Sequence, residues 1–418
     1  MMKIAVIGAG ISGLTAAYLL NRKYDITLYE AADRIGGHTA TKTVNWQDKH
    51  YCIDTGFIVY NDWTYPNFIK LIDHLGVDSQ PTTMGFSVSS QITGLEYSGE
   101  SLNTLFAQRR NLLRIKHWRM ITDILRFNRQ APRDVESGRL ASAVTLGQYL
   151  KKHNYSTEFL RHYLLPMGAA IWSASTAIIS DFPLHFFIKF FKNHGLLNIN
   201  SRPQWRVIKG GSKQYIQPLI QSFKARIRVN SPIESVVRQA RKVVIKTKTG
   251  QSQYFDQVVI ATHSDQALNM LADPSDKEIE LLGSIPYRNN EVVLHTDTSL
   301  LPNNKHTWSS WNYRIIDEEQ SIPVLTYNMN ILQKLNAPTT FCVTLNHTDH
   351  IQPDSILGCY QYTHPVFSLA GIEAQRQWQR INGVNRTWFC GAYWGYGFHE
   401  DGVNSALRVA NALDAGWQ

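Results

Sequence analysis

Three glycines spaced as Gly8-x-Gly10-x-x-Gly13, a carboxylate at Glu30 and a glycine pair at Gly36-Gly37 are residue types and spacings that suit a dinucleotide. Gly8 suits a tight turn, Gly10 lets the backbone approach a pyrophosphate, and Gly13 lets a helix close on a strand. Ala9, Ile11 and Ser12 complete the loop. A helix starting there turns free N–H groups and its positive dipole end toward the phosphates. Glu30 can accept hydrogen bonds from a ribose hydroxyl. A carboxylate at that position disfavours a 2′-phosphate, so FAD or NAD fits better than NADP.

The elements that must hold this loop are legible around it. Residues 3–7 read as a buried strand, 14–20 as an apolar helix, and 25–29 as a second strand running into Glu30. Asp54-Thr55-Gly56-Phe57 looks like a turn returning to the cofactor, which adds Gly56 and Phe57 to the candidates. Residues 67–76 read as a helix closed by Gly76, 82–98 alternate like strands, and 101–200 are mostly helical. The helical section is rich in aromatics, with Trp172, Phe182, Phe186, Phe187, Phe190 and Phe191 as a substrate tunnel or as ordinary core. Strands are predicted over 228–233, 243–247 and 257–261, after which Thr262-His263 comes close to the cofactor. Further strands fall at 292–295, 340–344 and 387–392, followed by a glycine-rich loop and a helix from about 402. The fold class that follows is α/β. A discontinuous Rossmann-like dinucleotide-binding lobe is expected over 1–76, 205–270 and 370–418, with a substrate lobe of mixed β-sheet and helices inserted as 77–204 and 271–369.

At 418 residues and 43% hydrophobic content the chain can bury a large core. Its start superficially resembles a signal peptide, but the apolar run contains the glycine fingerprint and continues into a second strand. No stretch reaches the roughly 20 uninterrupted apolar residues that span a bilayer. Cys52, Cys342, Cys359 and Cys390 are scattered with no CxxC pair, so neither a metal site nor a disulfide framework is expected, and a reducing cytoplasm is the natural setting. The net charge of +9 suits nucleic acid, an anionic membrane or an acidic substrate. Its distribution favours the membrane over nucleic acid. Residues 108–133 carry Arg109, Arg110, Arg114, Lys116, Arg119, Arg126, Arg129 and Arg133 against the single acid Asp123, interleaved with Leu, Ile, Trp and Phe. Such a segment fits the inner face of a membrane as a peripheral helix. The alternative is a surface helix packing its apolar stripe on the core.

The chain resembles the FAD-dependent amine oxidase superfamily, which includes monoamine oxidases, phytoene desaturases and protoporphyrinogen oxidases. Three motifs carry the likeness: the glycine loop with Glu30-x-x-x-Arg34-x-Gly36-Gly37-His38-Thr39, then Pro232-Ile233 with Ala261-Thr262-His263, and finally Phe389-Cys390-Gly391 with Gly397-Phe398-His399-Glu400-Asp401-Gly402-Val403. Most of that family has arginine where His38 stands. The resemblance implies non-covalent FAD held by Gly8 to Gly13, Glu30, Arg34, Gly36, Gly37, His38, Thr39, Gly56, Phe57, Ile233, Ala261, Gly391, Glu400, Asp401, Gly402 and Val403. Within the superfamily the chain looks most like bacterial NAD/FAD-binding proteins that resemble partners of cyclopropane-fatty-acid synthases. That likeness rests on the GYGFHEDG segment, on His295-Thr296-Asp297 and on 308–313. It implies lipid chemistry, with a lipid-modifying enzyme as a partner.

Amine oxidases use an aromatic cage and a lysine near flavin N5. By the resemblance Phe398 falls where one cage tyrosine stands, and His295, to within a residue or two, falls near the lysine. Losing both argues for an apolar substrate that is dehydrogenated or isomerised. His295 is then a candidate proton acceptor, or simply a hydrogen-bonded strand histidine. His399 and Glu400 are candidate proton carriers, or residues that hold the loop. Tyr393, Trp394, Tyr396 and Phe398 are expected to line the substrate pocket. Two other readings remain open from the sequence: an amine oxidase, and a flavin-binding subunit that assists a lipid-modifying enzyme without chemistry of its own.

Overall fold

The computed structural model describes residues 1–138, 140, 143–317 and 323–417. The apolar run of β1 (Lys3–Ile7) is buried at the centre of a five-stranded sheet in the order Ile227–Arg228, β2 (Asp25–Tyr29), β1, β3 (Gln257–Ile260) and Thr387–Phe389. Every pairing is parallel, which explains near-continuous apolar strands rather than alternating ones. The helix α1 (Ile11–Leu20) is apolar almost all round, because it is covered by this sheet on one side and by the C-terminal helix His399–Ala412 on another.

The expected single strand over 228–233 divides. Asn230 is left-handed (φ 51°) and Pro232 offers no N–H, so the ladder stops at Arg228. The N–H groups of Asn230 and Ser231 donate to the carbonyls of Ala32 (2.9 Å) and Glu30 (2.8 Å), which wraps this turn around the end of β2. Ile233–Arg238 then opens a separate three-stranded antiparallel sheet. The C-terminal helix begins at His399, three residues before the expected start, since Asp401 accepts from the backbone N–H groups of Tyr396 and Phe398 at 3.0 Å each. The basic segment is broken at Arg114 (φ −92°, ψ 111°) into a 3₁₀ turn, Arg109–Leu113, and a long helix, Ile115–Glu136.

A seven-stranded sheet stands beside the nucleotide sheet. Its order is Ile356–Pro365, β4 (Tyr287–His295), Cys342–Leu345, Val324–Asn328, Trp311–Ile315, Phe86–Ser90 and Glu96–Ser98. Helices between 115 and 193 cover one part of it through Phe127, Phe159, Phe187, Tyr313 and neighbours. Residues 276–285, expected in the substrate lobe, pack instead with the nucleotide lobe: Leu281, Leu282 and Ile285 share a core with Val258 and Ile260. Another three-stranded sheet (Val59–Asn61, Trp205–Ile208, Ser79–Thr82) joins segments expected on either side of the boundary at 76.

Candidate active site

A cavity of about 850 Å³ runs from the glycine loop between the two large sheets. At its nucleotide end, packing sets the glycines. A Cβ at Gly8 (φ +101°) would lie 2.7 Å from the Ala261 carbonyl oxygen, and one at Gly13 only 1.9 Å from that of Gly8. At Gly10 a Cβ would meet nothing within 4 Å, so the space above this residue is open. Gly36 (φ +117°) donates its N–H to the Ala9 carbonyl (2.8 Å), and a Cβ at Gly37 would stand 3.0 Å from the Gly10 Cα. Two short loops are thus stacked backbone to backbone beneath the N-terminus of α1. Glu30 secures them, accepting from Ala9 N–H (2.8 Å) and Ala32 N–H (2.9 Å). Ser231 to Glu234 and Lys248 wall the cavity nearby.

Of the residues expected to bind cofactor or substrate, Gly8 to Ser12, Glu30, Gly37, His38, Gly56, Phe57, Ile233, Ala261, Gly391, Tyr393, Tyr396, Phe398 and His399 line the cavity. Others lie behind its wall. Arg34 donates to the carbonyls of Gly37 (3.0 Å) and Thr39 (3.4 Å), so it braces the glycine pair from outside. A Cβ at Gly402 would lie 2.7 Å from Ile11 Cγ2, so this glycine and buried Val403 set the contact between the C-terminal helix and α1. Trp394 donates to the Phe389 carbonyl (3.2 Å) within the core. Asp401 caps its own helix, and burial raises its pKa to about 7.

The three expected proton carriers are placed otherwise. His399 reaches the wall, but its Nε2 is bonded to Thr39 Oγ1 (3.1 Å) and Tyr215 Oη (3.2 Å), and its ring stacks on Phe57 at 3.5 Å. Burial pushes its pKa down to about 3, so the imidazole is neutral and held. Glu400 turns to the start of α2 (Pro66–His74). It accepts from the N–H groups of Asn67 (3.1 Å) and Phe68 (2.8 Å) and serves as a cap supplied from another element. His295 faces away by strand parity. Val292 lines the cavity, whereas His295 lies on the face of Val293 and bonds Thr344 Oγ1 at 2.7 Å. Burial lowers its pKa to about 4.

Around His38, itself an expected cofactor residue, the structure gathers Tyr362 and His364, which the sequence reading missed. His38 sits with His364 (5.2 Å), Tyr362 (5.5 Å) and His263 (6.1 Å) in the middle of the cavity, its Nε2 without a partner. Burial, and then the neighbouring imidazoles, hold its pKa well below the ordinary value. Tyr362 and His364 stand two apart on one strand, a period-2 signal that was available. Beyond Phe398 the cavity is walled by Phe86, Met167, Ile171, Trp172, Phe190, Leu196, Val292, Trp311, Tyr327 and Leu345, with His194 among them. Phe398 stacks on Phe190 (5.5 Å) and Tyr396 packs on Phe186 (4.8 Å). Of the aromatic run 182–191, only Phe190 lines the cavity; Phe182, Phe186, Phe187 and Phe191 are core. Among the lining residues the charged side chains Glu30, Glu234 and Lys248 all belong to the nucleotide end.

A parallel nucleotide sheet, stacked glycine loops and a second sheet enclosing an apolar chamber define the class of dinucleotide-binding proteins with an inserted second lobe. More narrowly, the chain belongs to the flavin-containing amine oxidoreductase family, whose family model matches residues 11–340, and its cofactor is FAD. It is 24% identical over 266 residues to a probable flavin-containing monoamine oxidase A of Dictyostelium discoideum, covering 62% of this chain and 56% of the relative. The chain spans about half the length of the curated relatives it matches. Its fold matches that of cyclohexylamine oxidase from Brevibacterium oxydans IH-35A (TM-score 0.68, 16% identity, 99% of each chain). It also matches that of a CLA-producing fatty acid isomerase from P. acnes (TM-score 0.69, 14% identity, 98% of each chain). The residues present fit FAD: the open space over Gly10, the glycine pair beneath it and the unpartnered His38 Nε2 form one continuous channel into the chamber.

Proposed function

We propose that the protein is an FAD-dependent oxidoreductase acting on an apolar, chain-like substrate such as a fatty acyl group, which it dehydrogenates or isomerises. The observation that carries this reading is the uncharged, largely aromatic and aliphatic wall of the chamber beyond Phe398. An alkyl chain there exchanges water for apolar side chains, whereas an ammonium group would find no lining carboxylate. Bound FAD supplies the hydride acceptor. Gly8 to Ser12, Glu30, Gly37 and His38 would hold it, and Phe190, Trp311 and Phe398 would exclude water from the reacting carbon. Dehydrogenation also releases a proton, and we assign its uptake to His194, which lines the chamber beside Phe398 (5.9 Å). Its Nδ1 must donate to the Phe190 carbonyl (3.0 Å), which leaves Nε2 as an acceptor, and burial keeps the ring neutral with a pKa of about 4.

A fatty acid isomerase shares this fold, so the frame accommodates such chemistry. A membrane lipid carrying a modified acyl chain, prepared by a partner enzyme, is the substrate we favour. Amine oxidation is the second reading, supported by the curated relatives. Against it, the one lysine among the lining residues, Lys248, lies at the nucleotide end. The deciding experiment is anaerobic mixing of the holoprotein with fatty acids and acyl lipids in one series and primary amines in another. Loss of the oxidised-flavin absorbance with an acyl chain, or product double-bond shift without net bleaching, supports the proposal. Bleaching by amines alone overturns it. His194→Gln should keep FAD and slow the acyl reaction about 10²-fold or more.

A further inference from the structure

We propose that the N-terminal end of the helix Ile115–Glu136, together with the turn before it, docks onto an anionic lipid surface. This goes beyond the substrate reading and rests on different residues, so either can fail without the other.

The sequence offered two fates for this segment, and the helix carries both a buried stripe and exposed apolar residues. His117, Met120, Asp123, Phe127 and Ala131 form the buried stripe that packs on the core. That stripe does not account for the apolar residues at the helix start. Leu113 is 90% exposed, Ile115 84% and Leu102 76%, with Leu112 and Trp118 more than two-fifths exposed. Scattered exposed leucines are ordinary, but this many within residues 102–118 make a patch. It is also a firmly built one. Trp118 Nε1 donates to the Leu112 carbonyl (2.9 Å), and Phe106 packs against both His117 and Trp118 at 5.2 Å. The turn is thereby pinned with its aliphatic side chains pointing outward.

Cations ring the patch. Arg109 donates to the Phe106 carbonyl (2.9 Å) and Arg110 to that of Gly94 (3.0 Å), which fixes their positions without neutralising them. Among the described residues no carboxylate pairs with Arg109, Arg110, Arg114 or Arg119, and Lys116 alone has an acid nearby, Glu158 at 3.7 Å. Protruding aliphatic side chains beside four arginines without a carboxylate partner complement a bilayer, which offers an anionic surface over an apolar interior. Nucleic acid would answer the charge but leave Leu113 and Ile115 in water. Farther along the helix Arg126, ion-paired with Asp123 (2.9 Å), and Arg129 and Arg133 line a groove with Asp134 and residues 197–201, including exposed Ile199. Leu196, next to that groove, lines the substrate chamber. A docked lipid surface would therefore lie beside the chamber wall.

The test is co-sedimentation of the FAD-bound protein with vesicles of phosphatidylcholine alone or mixed equally with phosphatidylglycerol, at low and high salt. Wild type is expected to pellet with the anionic vesicles at low salt and to be released at high salt. The Leu113→Ser/Ile115→Ser and Arg109→Glu/Arg114→Glu variants, checked for retained flavin and circular dichroism, should each partition about tenfold less or worse. Failure of wild type to pellet at low salt overturns the proposal, as does equal pelleting with neutral vesicles or equal pelleting of the Leu113→Ser/Ile115→Ser variant. Wild-type self-association that this variant abolishes overturns it too, by assigning the patch to a second copy. If the double variants lose flavin, Leu113→Ser alone and the wild-type salt titration decide between the same outcomes.

Discussion

Gly10 and Gly13 look alike in a sequence motif but do different work. Gly13 has the Gly8 carbonyl where a Cβ would go, so it keeps the helix against the strand; Gly10 faces open space, so it keeps a ligand site clear. Gly10→Val should therefore fold but lose most bound FAD, read as the ratio of flavin to protein absorbance. Full flavin content in this variant would remove the loop from the phosphate site. Glu30 binds two loop N–H groups and lines the cavity, so Glu30→Ala removes the brace of the loop together with the carboxylate proposed to meet the ribose. FAD affinity should fall by about 1.5–3 kcal/mol, roughly 10- to 150-fold, in a fluorescence titration of the apoprotein.

At the scale of elements, helix ends organise the site. Glu400 leaves its own helix to cap α2, so Glu400→Gln should cost about 0.5–2 kcal/mol of stability in a denaturant melt. Flavin reduction by substrate should be unchanged, whereas a catalytic role would demand a large loss of rate. Asp401 beside it gives a pH signature. Burial raises its pKa to about 7 from an ordinary 3.8, so the folded state favours the protonated carboxyl. Its contribution to stability is full below about pH 4 and is lost as the pH rises through 7. Asp401→Asn cannot ionise. Its melting temperature relative to wild type should therefore climb between pH 4 and pH 8 and level off above; a difference independent of pH would show that the Asp401 pKa is not raised by the fold.

At the scale of the molecule, two sheets enclose one cavity whose nucleotide end is polar and whose far end is apolar. The cysteines bear on how the cofactor is held. Cys390 is fully buried, its thiol pushed up to about 12, and no cysteine is among the lining residues. Acid precipitation of the purified yellow protein should therefore leave FAD in the supernatant; flavin remaining on the polypeptide would show a covalent link. No helix among the described residues is long and apolar enough to cross a membrane.

The amino-acid order alone determined the βαβ start, the glycine loops, Glu30 and the family likeness. The reason is physical: a pyrophosphate cradle is built from neighbours in the chain, so its constraints stay local. It also exposed the basic segment, since charge needs no fold to be counted. Tertiary structure decided what side-chain direction controls. Strand parity put Val292 rather than His295 on the cavity, and α2 drew Glu400 away from the chamber. His38 and His263 come from the nucleotide lobe and His364 from the substrate lobe, far apart in the chain, and only the fold brings their rings together. The chamber has the same origin: Trp172, Phe190, Trp311 and Phe398 come from different elements, and their apolar wall exists only once those elements pack.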